Sequence, residues 1–128
     1  MAGGILRELL RARAIAAEVR TAGLYPGRVL AENALAAMRE IGIDISGDSP
    51  KPVDDQLIAW ADTVIPIEAA YAEELLDRFP DVGGKLYRLG RDVRDPVRQD
   101  LARYRITRNE LSELLAAFAV TLPLPSAG

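Results

Sequence analysis

The sequence contains no cysteine and no histidine in its 128 residues. Without cysteine there is no disulfide and no thiolate nucleophile, and without histidine there is no imidazole general base. Zinc sites of the usual kind are excluded for the same reason. Any chemistry intrinsic to the chain must therefore run on carboxylates, hydroxyls, amines or guanidinium groups, and we expect no cofactor.

The sequence also lacks a dominant charge and a long apolar run. Its 16 basic and 19 acidic residues are mixed along the chain and leave a formal net charge of −3. No stripe of Lys and Arg dominates a segment, so we expect no nucleic-acid partner. No apolar stretch approaches the length that crosses a bilayer, and the charged N-terminus does not resemble a signal peptide. We therefore expect no membrane partner and a cytoplasmic location.

The composition is otherwise that of an ordinary globular domain, with 49% hydrophobic and 27% charged residues. A chain of this length is expected to form one domain that buries a real core. We assign residues 1–122 to this domain and predict that residues 123–128 form a flexible tail.

Helical and strand patterns alternate along the sequence, which favours an α/β fold with a short parallel sheet between two helical layers, a small three-layer sandwich. Gly42 is placed to end the second helix, and Asp54 or Asp55 to cap the third. In the fourth helix, the expected core residues are Ala70, Leu75 and Leu76. Helices are predicted near residues 5–10, 30–42, 55–60, 68–79 and 101–122, and strands at 18–23, 63–67 and 85–89.

Several segments, taken in order, carry a resemblance to one known family. They are Met1–Leu9, Arg20–Gly23, Ala37–Ser46, Ser49–Lys51, Ala61–Ile65, Asp92–Pro96 and Tyr104–Leu111. Together they span nearly the whole chain and resemble the low-molecular-weight tyrosine phosphatases and arsenate reductases. The segments from Ala37 to Lys51 are most similar to the arsenate reductase version of the family.

The resemblance implies a specific chemistry for the family. Its members bind an oxyanion in a Cys-x5-Arg loop at the start of the first helix, where the thiolate attacks phosphorus or arsenic. An aspartate that precedes a proline then protonates the leaving group. On this resemblance Asp95 is the general acid, and Asp92 is the weaker candidate. Gly3 and Gly4, at the first helix start, are a weak candidate for anion binding, and close packing is the alternative interpretation.

The sequence departs from the family at its first strand and Cys-x5-Arg loop, because Met1 corresponds to a position just after that loop. An acid cannot complete the displacement without a nucleophile and an anion clamp. Asp95 is therefore expected to be an acid without the catalytic groups that it would act with. Phosphate or arsenate would bind only if the missing loop were supplied.

The absent strand would lie in the middle of the sheet, between residues 18–23 and 63–67. Two facing edges would then carry unpaired N–H and C=O groups. The two strands could pair directly, residues 118–122 could enter the gap as a strand, or a second chain could donate an element. Direct closure and repair through a dimer are the favoured expectations.

Two hypotheses for the function follow. The first is a degenerate, non-catalytic family member that acts by binding, either as a homodimer or as the partner of an active relative. The second is a truncated form of an active phosphatase or arsenate reductase, whose natural chain starts upstream. An unrelated carboxylate enzyme has little support, because no pair of acidic residues at helical spacing is expected to point into a plausible pocket.

Overall fold

The computed structural model describes residues 1–24, 31–48, 51–94, 96 and 99–122. This part of the chain is mainly helical, and its connecting segments are extended. The helices are α1 (Ala2–Ala12), α2 (Glu32–Arg39), α3 (Asp55–Trp60), α4 (Ala69–Arg78) and α5 (Leu101–Ala119), with a 3₁₀ helix at Pro80–Lys85 between α4 and α5.

Local side-chain chemistry explains where several of these helices begin and end. The Asp54 carboxylate accepts a hydrogen bond from the Leu57 N–H at 2.7 Å, so Asp54 rather than Asp55 caps α3. Asp100 caps α5 in the same way. After α2 the chain turns at Gly42, whose φ of +78° lies in the left-handed region that favours glycine. The predicted end of the second helix is therefore confirmed.

Two buried clusters lie between the helices. The larger one joins α1, α2 and α5 through residues such as Ile5, Met38 and Leu115. The smaller one is formed by Ile58 of α3, Leu75 of α4 and Val82 of the 3₁₀ helix. Ile65 packs against the larger cluster and its neighbour Val64 against the smaller one. The segment at 63–67 therefore runs between two helical layers, with successive side chains on opposite faces.

The three predicted strands appear as single parallel bridges and not as continuous strands. Gly23 bridges to Pro52, and Val64 bridges to Leu86. The Val64–Leu86 ladder requires a backbone donor at position 66 for its next hydrogen bond, and Pro66 has no N–H. The described residues thus support the order of elements expected of an α/β fold, while the predicted sheet is reduced to two isolated pairs.

Some expectations about packing were wrong. Ala70 is exposed, and Ala72 is the buried residue of α4 beside Leu75. Residues 118–119 form the buried end of α5, in agreement with the helix predicted there, so the alternative in which they enter the sheet as a strand is not observed. Within the described part of the chain, no bridge joins 18–24 to 63–67, so direct closure of the gap is not observed either. The predicted tail at 123–128 lies outside the described residues.

Candidate functional site

Asp92, the weaker candidate for the acid, lies at the N-terminus of α4. Its Oδ1 accepts a hydrogen bond from the Ala69 N–H at 2.9 Å, and Ala69 is the first residue of that helix. Its Oδ2 lies 3.9 Å from Nε of Arg94. A carboxylate in this position satisfies an otherwise unpaired helical N–H and interacts favourably with the helix dipole. The structure therefore gives Asp92 a capping role at α4, a helix that begins 23 residues before it in the sequence.

Asp95, the preferred candidate for the acid, lies outside the described residues, and its proposed role stays a prediction. The following residue, Pro96, is buried. Val93, between the two aspartates, is 2% exposed and belongs to the same buried cluster as Ile5 of α1. This loop is therefore anchored against the layer that contains α1, the helix at whose start the resemblance places the oxyanion.

Two arginines border Asp92 in a cleft of ≈240 Å³. Arg88 donates to Glu73 at 3.1 Å, and Arg91 donates to Glu113 at 2.9 Å. Because each guanidinium already pairs with a glutamate, this cleft does not present a preformed clamp for a dianion. Both partners are glutamates of the neighbouring helices, Glu73 of α4 and Glu113 of α5.

Gly3 and Gly4 are buried in the first turn of α1. A Cβ on Gly3 would lie 2.3 Å from the Thr21 Cγ2, and a Cβ on Gly4 would lie 2.9 Å from the Ile45 Cγ2. Both glycines therefore allow α1 to approach the extended segments beneath it, as the packing interpretation expects. Anion binding at these glycines stays a prediction, supported only by the positive end of the helix dipole and the absence of an acidic residue in the first turn of α1.

Sequence reasoning missed a second cleft, of ≈370 Å³, on the side of α1 that faces residues 47–57. Arg7 crosses its wall, donating to the Val19 carbonyl at 2.9 Å and lying 3.4 Å from the Asp48 carboxylate. Lys51 also lines it. These contacts join residues 12 and 41 positions apart, so no local pattern could have indicated the cleft.

Arg20 lines the same cleft, and its guanidinium group packs over the Trp60 ring. Its guanidinium carbon lies 4.0 Å from the centroid of the Trp60 ring, and its Nη2 lies 3.1 Å from the Glu18 carboxylate. A cation over an indole face is attractive, so half-exposed Trp60 packs at the surface under an arginine.

Neither cleft combines a nucleophile with a general base. The described residues contain no group of three or more acidic side chains that could hold a metal ion. No helix among them is long and apolar enough to span a membrane. What the described site offers is a helix N-terminus at α1, an anchored acidic loop and guanidinium groups that are already paired.

Comparison with known proteins shows which family and which relatives this chain resembles. Residues 1–124 match the family model described as low molecular weight phosphotyrosine protein phosphatase. A probable low molecular weight protein-tyrosine-phosphatase, EpsP, of Ralstonia nicotianae is 29% identical over 109 residues, which cover 81% of this chain and 73% of that protein. A protein-arginine-phosphatase of Geobacillus stearothermophilus is 26% identical over 114 residues, which cover 82% of this chain and 76% of that protein.

A solved structure shows the same similarity in three dimensions. The low molecular weight protein tyrosine phosphatase from T. tengcongensis is 27% identical and superimposes with a TM-score of 0.88. The superposition covers 94% of this chain and 88% of that one. The helical layers described above are thus arranged as in an α/β phosphatase.

Proposed function

The chain belongs to the low molecular weight phosphotyrosine protein phosphatase family, and from this premise we propose that it is a non-catalytic member that acts by binding. The observation that carries the proposal is the absence of cysteine from all 128 residues of a chain that matches the family over residues 1–124. The family's displacement requires a thiolate and an arginine clamp in one loop. A general acid contributes nothing without the nucleophile whose leaving group it protonates.

The contacts of the charged residues support this proposal. Asp92 caps α4, and the two arginines of its cleft pair with glutamates. In this cleft, the charged groups of Asp92, Arg88 and Arg91 bind to residues of α4 and α5. A homodimer and an active relative of the same family are the partners that we propose.

A hydrolysis assay tests the proposal directly. Purified protein should release no phosphate above the uncatalysed rate from a phosphotyrosine peptide or a phosphoarginine peptide, the two substrate classes named for its relatives. The Geobacillus arginine phosphatase serves as the positive control. Hydrolysis that is lost in the Asp95→Ala variant, but not in an Asp77→Ala variant of the exposed face of α4, would contradict the proposal.

A second candidate function is an active phosphatase or arsenate reductase whose natural chain carries upstream residues with the nucleophilic loop. The matches span 73% and 76% of the two relatives, so about a quarter of each relative lies outside the match. The mass and N-terminal sequence of the protein from its natural source distinguish the two candidates. A natural chain that begins at Met1 eliminates the second. An upstream Cys-x5-Arg loop eliminates the first and makes a comparison of phosphate-ester hydrolysis with thiol-dependent arsenate reduction the next experiment.

A further inference from the structure

The cleft of ≈370 Å³ beside α1 is lined by basic side chains from three separate segments of the chain. Arg7 belongs to α1, and Arg20 and Lys51 belong to the two extended segments that a parallel bridge joins. Two acidic side chains, Asp48 and Asp54, line the same cleft. Three positive and two negative charges leave its wall with one positive charge in excess.

Both carboxylates of this cleft already have partners within the fold. Asp54 Oδ1 accepts a hydrogen bond from the Leu57 N–H at 2.7 Å as the cap of α3. Asp48 lies 3.4 Å from Nη1 of Arg7, whose Nη2 donates to the Val19 carbonyl at 2.9 Å. A strong charge-assisted hydrogen bond measures about 2.7–2.9 Å, so Nη1 of Arg7 is only loosely paired.

Arg20 keeps donors that the fold does not use. Its Nε and Nη2 both donate to one oxygen of Glu18, at 3.2 and 3.1 Å. Its guanidinium carbon lies 4.0 Å from the centroid of the Trp60 ring, and this stacking orients the guanidinium group. Within the described part of the chain, Nη1 of Arg20 makes no hydrogen bond.

Lys51 is the cation of this cleft whose charge is uncompensated. Its backbone is fixed by the bridge, because its carbonyl accepts a hydrogen bond from the Gly23 N–H at 2.8 Å. Its exposed ammonium group has no hydrogen-bond or ionic partner among the residues that the structure describes. An anion that binds Lys51 therefore does not have to displace a carboxylate of the protein.

This cleft differs in two respects from the other places where an anion could bind. Beside Asp92, each guanidinium group donates to a glutamate at 3.1 Å or less. The start of α1 is also a separate place, because Arg7 lies four residues beyond Gly3, roughly 6 Å along the helix axis. The cleft thus has its own cations and does not use the N-terminus of α1.

The arrangement of the donors indicates the shape of the anion. N–H groups that come from three segments suit a tetrahedral oxyanion better than a carboxylate, whose two oxygens lie in one plane. Arginine binds phosphate through paired N–H groups, and lysine binds it as a point charge. Thr21 adds a neutral hydroxyl to the same wall.

We propose that this cleft binds a phosphate group, with Lys51 as the main ionic contact and Arg20 and Arg7 as further donors. Free phosphate and a small phosphorylated molecule share this chemistry, and the experiment below separates them. The inference goes beyond the proposed function and holds for a catalytic and for a non-catalytic family member alike.

Trp60 provides an internal probe of binding. It is the only tryptophan of the chain, and it lies under Arg20. A ligand that bonds to Arg20 should therefore change the Trp60 fluorescence. Inorganic phosphate is titrated at neutral pH, with sodium chloride holding the ionic strength constant so that screening does not change. An equal change on adding chloride alone, or no change with phosphate, would overturn the proposal.

The amide resonances of the protein locate the bound anion. Phosphate should shift the resonances of Thr21, Gly47 and Lys51, which line the cleft. Shifts confined to Gly3 and Gly4 would place the anion at the start of α1 and would overturn the proposal.

Replacing Lys51 tests its role as the ionic contact. Lys51→Gln should weaken phosphate binding by about threefold to fivefold, the effect expected of one exposed charge pair. Lys51→Arg should retain most of the affinity, because it keeps the charge. Arg39→Gln, an exposed position of α2 outside the cleft, removes the same charge and should leave binding nearly unchanged. Equal weakening in Lys51→Gln and Arg39→Gln would show that only the net charge matters.

Replacing Asp48 should have the opposite effect. Asp48→Asn removes the carboxylate that competes for Nη1 of Arg7, so phosphate should bind about twofold to threefold more tightly. Asp77→Asn on the exposed face of α4 is the matched control and should change the affinity little. No gain in Asp48→Asn would show that Arg7 does not contact the anion.

Three ligands separate the chemistry and the source of the anion. Acetate should bind more weakly than phosphate, and equal binding would overturn the preference for a tetrahedral oxyanion. Phenyl phosphate that binds more tightly than inorganic phosphate would support a phosphorylated molecule as the ligand, and weaker binding would support free phosphate. Failure of both phosphates to bind overturns the site and leaves the absence of hydrolysis untouched. Hydrolysis of a phosphopeptide would overturn the proposed function and leave the phosphate site standing.

Discussion

At the scale of single residues, close approach explains the glycines that begin α1. Gly3 lies under the Thr21 methyl, so a side chain at position 3 would overlap it unless the helix moved. Gly84 differs, because nothing lies within 4 Å of the position that its Cβ would occupy. The same amino acid thus serves packing at one position and faces open space at the other.

The Gly3→Ala variant is expected to lower the free energy of unfolding by about 1–3 kcal/mol, the usual cost of overpacking a buried site. Chemical denaturation measures this loss. The double variant Gly3→Ala, Thr21→Ser should recover much of it, since serine lacks the methyl that the new Cβ would meet. Gly84→Ala is the matched control and should change stability by less than about 1 kcal/mol. Equal losses in Gly3→Ala with and without Thr21→Ser would show that the contact is not the cause.

At the scale of elements, carboxylates hold helices in place from distant positions in the sequence. Asp92 caps α4 from 23 residues beyond Ala69. Glu40, just after α2, binds two arginines of α5: Arg105 Nη2 lies 2.6 Å from Oε2, and Arg108 Nη1 lies 2.7 Å from Oε1. Arg108 also donates to the Ala37 carbonyl at 2.8 Å, so the end of α2 is fastened to α5.

Replacing Asp92 should distinguish its capping role from a catalytic one. Asp92→Ala is expected to destabilise the protein by about 0.5–2 kcal/mol, the usual effect of removing a helix cap. Asp92→Asn should cost less, because the amide oxygen still accepts from the Ala69 N–H. Thermal unfolding of the two variants beside wild type measures the difference. Identical stability of all three would contradict the capping role.

The Glu40 pairs predict a pH dependence of stability. Hydrogen bonds from Arg105 and then Arg108 lower the pKa of Glu40 from 4.5 to about 2. A carboxyl with a lowered folded-state pKa stabilises the fold fully above its unfolded value and loses this effect as the pH falls towards its folded value. The Tm difference between wild type and Glu40→Gln should therefore be constant above about pH 5.5 and shrink between pH 4.5 and 2.

A matched variant controls for loss of charge alone. Glu113 is 74% exposed and pairs with one arginine, Arg91. Glu113→Gln should change Tm very little at any pH, because isolated surface pairs contribute little to stability. A Tm difference for Glu40→Gln that persists unchanged at pH 2 would show that the effect does not arise from the ionised carboxylate.

At the scale of the whole molecule, helices pack on both faces of the extended segment that contains Val64 and Ile65. The protein keeps the layers of its family while its described sheet is limited to the bridges at Gly23 and Val64.

Bonded and unbonded amides should then differ sharply in exchange. In the protein alone, the Val64 and Tyr87 amides should be protected, and the Ile65 and Ala22 amides should exchange close to the rate of an unstructured chain. Protection of all four would show that the Ala22 and Ile65 amides have hydrogen-bond partners besides those of the two bridges.

The elements and the site were predictable from the sequence to different degrees. The helix start at Asp54 depends on a contact three residues long, so local chemistry was sufficient to predict a cap there, although it left Asp54 and Asp55 as alternatives. The Asp100 cap of α5 is equally local, but it was not predicted. Strand predictions at 63–67 and 85–89 located the right segments but overstated their pairing. A continuous strand requires consecutive ladder hydrogen bonds with a neighbour. The missing donor at Pro66 interrupts them without reducing the β-propensity of the surrounding residues.

The sequence by itself determined that this chain has no thiol or imidazole chemistry and that it carries the order of elements of its phosphatase family. Composition is a property of the chain alone, and the resemblance to the family lies in short segments that occur in the family's order along it. Only the tertiary structure decided that Asp92 caps α4 and that Arg7 joins Val19 to Asp48. Those arrangements depend on which distant residues the packed helices bring together, which no local pattern in the chain encodes.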